Sequence, residues 1–78
     1  MTKTYEVIRA TSGADEFDGD VFQVAEWTLG YLMDNAENKH IDMFYALPAG
    51  LAGEDLEQSI ISWARRSVRG KFRIEEID

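Results

Sequence analysis

The chain has 78 residues, with fifteen Asp and Glu against eight Lys and Arg, one histidine, no cysteine and a net charge of −7. That length makes one domain, residues 1–78, near the size at which a single core is only just sufficient. An apolar share of 45% argues against wholesale disorder, and the missing cysteine excludes disulfide staples, thiolate catalysis and cysteine-ligated zinc.

The charge is unevenly spread. Residues 11–60 carry eleven acids against Lys39 alone, whereas residues 61–78 hold Arg65, Arg66, Arg69, Lys71 and Arg73 against Glu75, Glu76 and Asp78. Such a surface repels nucleic acid and anionic membranes and attracts basic partners. The plainer reading is that the acids keep a small protein in solution. The opening residues MTKTYEVIRA have no signal-like apolar stretch, and no run approaches membrane-spanning length. The expectation is a cytoplasmic protein without a membrane partner.

In chain order, residues 2–11 predict a strand, rich in Thr, Tyr, Val and Ile, with Tyr5 and Val7 on one face and Glu6 and Ile8 on the other. Residues 12–20, with two glycines and four acids, predict a loop. Residues 21–36 predict a helix whose core stripe is Phe22, Ala25, Leu29, Leu32 and Ala36, capped by Asp18 or Asp20. A strand hairpin through Val21–Val24 is the competing reading there. His40 to Pro48 alternates Ile41, Met43, Tyr45 and Leu47 with Asp42, Phe44 and Ala46, which predicts a central strand. Residues 54–69 predict a second helix with a Leu56, Ile60, Trp63, Ala64 and Ser67 stripe, acids in its first turn and arginines in its last. Gly70 is placed to end it, and residues 71–78 predict a closing strand. The order strand–helix–strand–helix–strand points to an α/β domain, with α+β as the variant. Its three-stranded parallel sheet would carry both helices on one face. The other face would show Glu6, Ile8, Asp42, Phe44, Arg73, Glu75 and Ile77.

No catalytic constellation is legible. His40 has no nucleophile or orienting partner in its motif context, the serines lie in no nucleophile elbow, and Gly50–Gly53 lacks the Lys-Ser/Thr ending of a phosphate loop. The loop acids Glu16, Asp18 and Asp20 have alternating oxygens, but the calcium-loop pattern fails at its sixth and twelfth positions, Val21 and Trp27. Neither a metal nor a cofactor is expected. The arginine cluster at residues 65–73 fits helix C-terminal electrostatics better than phosphate binding.

The first helix carries a second apolar strip, Val24, Trp27 and Tyr31, off the core stripe. Either it packs against the second helix, or it is an exposed anchor of the type enriched at interface hot spots. The partner-binding candidates are therefore Asp15, Glu16, Asp18, Asp20, Val24, Glu26, Trp27, Tyr31, Asp34 and Glu37, facing a larger protein with a basic surface.

This layout, a small acidic domain of parallel strands with covering helices, resembles the barstar type of nuclease inhibitor. In size, acidity and lack of cysteine the chain is also similar to phage-encoded antirestriction and anti-CRISPR inhibitors. That resemblance implies a non-enzymatic inhibitor mimicking nucleic acid in the host cytoplasm. The alternatives are a structural homodimer, with a seam of Val24, Trp27 and Tyr31 or of Ile8, Phe44 and Ile77, and a small-ligand sensor.

Overall fold

The computed structural model describes residues 3–77; Met1, Thr2 and Asp78 lie outside it, so the outermost residues of both expected terminal strands do too. The described chain runs β1 (Thr4–Arg9), β2 (Asp15–Gly19), α1 (Val21–Asp34), α2 (Asn38–Tyr45), α3 (Gly53–Ser67) and β3 (Phe72–Ile77). The strands form one sheet in the order β2-β1-β3, with both pairings antiparallel. The protein is therefore a mixed α+β domain.

Two expectations are overturned. Residues 40–48 do not form the central strand: Asn38–Tyr45 is helical and β1 takes the centre of the sheet. The segment has only one β-branched residue, Ile41, and Ile41, Phe44 and Leu47 are spaced three apart. As a helix it lays those side chains against the core, with Phe44 on Trp63 at 4.6 Å between ring centroids. A short apolar run fits either period, and here helix propensity and packing decide it. The expected loop at residues 12–20 supplies the missing strand instead, β2, which returns directly along β1. Among the described residues no parallel crossover forms, so the parallel layout behind the barstar resemblance is not the one seen.

Phe17 is what makes the acidic stretch a strand. Val7 pairs with Phe17 on one side and with Ile74 on the other, so three apolar side chains line up on the inner face. Between Val7 and Ile8 the register slips, leaving Glu16 as the extra residue of a bulge. Its carboxylate pairs with Arg9. Register places Glu6, Ile8, Arg73, Glu75 and Ile77 on the outer face as expected, although Ile8 is buried there, whereas Asp42 and Phe44 belong to α2.

The core is Tyr5, Val7, Phe72 and Ile74 of the sheet against Val21, Val24, Ala25 and Leu32 of α1 and Ile60, Ile61, Trp63 and Ala64 of α3. Asp20 caps α1: its carboxylate accepts from Gln23 N while the Gln23 amide oxygen accepts from Asp20 N, both at 2.9 Å. At the other end Glu37 N reaches Leu32 O and Ala36 N reaches Met33 O, with Ala36 at φ 55°. This is the Schellman exit that turns the chain into α2. Tyr5, buried beneath α3, donates its hydroxyl to Glu57 Oε2 at 2.8 Å, and burial and then that carboxylate hold its proton well above the usual tyrosine range.

The face α1 buries is rotated from the expected stripe. Val21, Val24, Ala25, Thr28 and Leu32 are buried, while Phe22 and Met33 stand 60% and 68% exposed. Among the described residues no helix is long and apolar enough to cross a membrane.

Candidate partner-binding surface

Trp27 and Tyr31 lie one turn apart on the flank of α1, half-buried and packed against the core. Their rings stack at 5.8 Å with 10° between planes, and Phe17 of β2 extends the stack at 6.3 Å and 19°. Phe72 of β3 meets both edge-on, at 5.0 Å from Trp27 and 5.2 Å from Tyr31. Offset stacks and edge-to-face pairs are the arrangements aromatic quadrupoles favour. The second apolar strip is thus half core and half surface. Its inner edges hold the sheet and its outer edges form a ridge.

A groove of about 460 Å³ runs along one side of the ridge, walled by Phe17, Trp27 and Tyr31 and rimmed by Gln23, Glu26 and Asp34. Gly30 forms part of its lining, and a Cβ there would meet nothing within 4 Å. That glycine, costly for the helix by about 1 kcal/mol relative to alanine, leaves the groove open. On the other side of the ridge a second hollow of about 390 Å³ is lined by Arg9, Glu16, Lys71 and Phe72. There the Arg9 guanidinium carbon lies 5.5 Å from the Phe72 ring centroid.

The ten expected partner-binding residues separate. Glu26, Trp27, Tyr31 and Asp34 meet in the first groove. Val24 is fully buried and touches no partner, a correction that follows from the rotation of α1. Glu16 sits with Arg9 at the second hollow, Asp20 caps α1, and Glu37 occupies the N-cap position of α2. Asp15 and Asp18 face the opposite side of the sheet. Neither expected homodimer seam is assembled: Val24 is in the core, Ile8 is buried, and Phe44 lies on Trp63. Sequence reasoning missed Phe17, Gly30 and Glu6. The signal for Phe17 was present, as a lone aromatic between acids at strand spacing.

On the outer face Glu6 stands directly across from Asp18 on one side and Glu75 on the other. Carboxylate oxygens of Glu6, Asp15 and Asp18 lie within 4.8 Å of one another. The calcium-type set Glu16, Asp18 and Asp20 is not brought together. Partial desolvation and then the neighbouring carboxylates raise the proton affinity of both Glu6 and Asp15. A carboxyl that binds its proton more tightly in the fold than in the unfolded chain weakens the fold as pH climbs above its ordinary value, 4.5 for Glu6. Like charges placed directly across strands are destabilising for the same reason. Glu6→Gln therefore raises Tm at pH 7, and the gain shrinks towards zero as acidification protonates Glu6 in both states. A Tm difference that is negative, or the same at every pH, would show that the row is not repulsive.

His40 is half-buried in α2; its carbonyl accepts from Trp63 Nε1 at 2.7 Å, and its Nδ1 is buried without a hydrogen-bond partner. Ser67 donates to Trp63 O and Ser12 accepts from Ala14 N. Comparison with family models, curated proteins and solved structures finds no match.

Proposed function

We propose that the chain is a non-enzymatic protein-binding domain whose α1 groove takes a cationic side chain of a larger, basic partner. One observation carries this reading: a stacked Phe17–Trp27–Tyr31 wall stands beside two carboxylates, Glu26 and Asp34, in one open groove. An arginine or lysine laid there meets aromatic faces and negative charge together, the two features that attract a cation most strongly. The net charge of −7 adds long-range steering to the same sign of partner. The basic surfaces that suit such a ligand are those that bind nucleic acid. The specific form of the proposal is thus an inhibitor that occupies a nucleic-acid-binding surface, as antirestriction and anti-CRISPR proteins of phages do.

The test is capture of nucleic-acid-binding proteins from bacterial lysate on the immobilised chain, repeated with competing DNA and at raised salt. The expected partner is displaced by DNA and by salt. Trp27→Ala weakens it at least thirtyfold, the scale of an aromatic hot spot. Gly30→Gln, which adds helix propensity and fills the groove, weakens it without loss of fold. A captured protein indifferent to DNA and to Gly30→Gln would overturn the reading.

A further inference from the structure

The sheet ends on one side in β3, and no described strand covers that edge. Which main-chain groups it presents follows from the ladder. Ala10 N donates to Lys71 O at 2.9 Å, which makes that pair a hydrogen-bonded one. Pairs alternate along an antiparallel ladder, so the main-chain groups of Phe72, Ile74 and Glu76 turn away from β1. Three contacts agree. Arg9, opposite Phe72, sends its N–H the other way, to Ala14 O at 2.8 Å; Phe72 N bonds back to Val68 O at 3.0 Å; and Ile74 O accepts from Arg65 Nε at 3.0 Å. The N–H of Ile74 and both main-chain groups of Glu76 face outward. Beside them runs a hollow of about 360 Å³ between β3 and the end of α3, with Phe72 and Ile74 at its base and Arg65, Arg69 and Arg73 around it.

We infer that this edge is the seam of a homodimer, in which β3 of one copy pairs antiparallel with β3 of a second copy about a two-fold axis at Ile74. Only Phe72, Ile74 and Glu76 can make the hydrogen-bonded pairs, which leaves three central two-fold registers. Centring on residue 73 sets Arg73 against Arg73 of the second copy, and centring on 75 sets Glu75 against Glu75. Centring on Ile74 alone sets each Arg73 opposite Glu75 of the second copy, on the outer face. On the inner face it brings Glu76 of the second copy opposite Phe72, within the hollow held by Arg65 and Arg69. Charge selects the register.

The pairing joins two three-stranded sheets into one of six. Each Ile74 N–H donates to Ile74 O of the other copy, and each Glu76 N–H donates to Phe72 O. Ile74 O keeps Arg65 on its second lone pair. An open strand edge is a template for such addition, and a two-fold interface is the commonest way to close one. Within its own strand Arg73 Nε already donates to Glu75 Oε2 at 3.1 Å, and the seam adds a second cation to Glu75, the end of the repulsive outer row. It uses neither Trp27 nor Tyr31 and stands independently of the α1 groove.

The test is sedimentation velocity across a concentration series. The expected result is a reversible dimer. Arg73→Glu and Glu75→Arg each place like charges across the seam twice and weaken it by about tenfold. The double variant, Arg73→Glu with Glu75→Arg, restores the dimer. Both side chains are half-exposed, at 52% and 54%, so the variants keep the fold. A monomer at every concentration would overturn the inference, as would a dimer indifferent to either single change. So would failure of the double variant to recover, which is the outcome for an acidic peptide bound by Arg73 alone.

Discussion

Trp63→Ala lowers stability by about 3–5 kcal/mol, a large share of the roughly 4–12 kcal/mol available to a chain of this size. Trp63 is fully buried and is the largest side chain in the core. It belongs to α3, but its ring lies on Phe44 and its indole Nε1 donates to His40 O, both in α2. Removing it opens a cavity and releases α2, which contacts α1 and α3 but no described strand. Urea unfolding checks the size of the effect. Trp63→Phe separates the two losses: it keeps most of the ring, deletes the indole bond, and costs about 1 kcal/mol. In that variant the α2 amides exchange before those of α1 or α3. A Trp63→Ala midpoint within about 1 kcal/mol of wild type would mean that α2 is not held through this residue.

Gly19→Ala costs about 1–3 kcal/mol, the range for overpacking a tight site. The φ angle there is not the reason. A Cβ at Gly19 would lie 2.7 Å from Gln23 Oε1, 2.8 Å from Gln23 Cβ and 3.1 Å from Phe17 Cε2. Gln23 cannot simply swing aside, because its amide oxygen closes the capping box onto Asp20 N. One added methyl group therefore pushes on the end of β2, the start of α1 and the cap between them. The loss appears in the urea midpoint, with early exchange at Gln23 N. A midpoint shift under about 0.5 kcal/mol, the usual scatter of surface changes, would show that the corner relaxes freely.

Of the fold, α3 was the most legible element. Its apolar stripe occupies one face, and its acids and arginines sit at the ends that the helix dipole favours. The existence of α1 was equally plain, but its rotation was not. Phe22, Leu29 and Met33 make as good a stripe as Val24, Thr28 and Leu32, because α1 is apolar around much of its circumference. Partners fixed the choice: Phe17 and Phe72 meet Trp27 and Tyr31, which turns Phe22 and Met33 outward. Residues 40–48 failed for the opposite reason. Their alternation is real, but the segment is short, and Pro48 ends a helix as readily as a strand. β2 was hidden by composition, since acids and glycines at 12–20 mark a loop unless Phe17 is given weight.

The candidate surface was legible in half. Trp27 and Tyr31 stood out as surplus to the stripe, and Glu26 and Asp34 as their neighbours. The crowding of Glu6, Asp15 and Asp18 could not be foreseen, because it depends on the β1–β2 register and on a bulge that swings Glu16 away.

The order of the strands has a consequence for synthesis. Thr4 of β1 pairs with Ile77 of β3, so the strand at the middle of the sheet is made before every other described element, and one of its two neighbours only after all three described helices. The β1–β2 hairpin closes locally and early. The other side of β1 waits for a contact that spans almost the whole sequence, and loop closure on that scale is slow compared with helix formation. Until β3 arrives, Phe72 and Ile74 are missing from beneath α1 and α3, and neither helix has a complete surface to settle on. This domain therefore has no stable halfway structure, and its core closes in one step once β3 is in place beside β1.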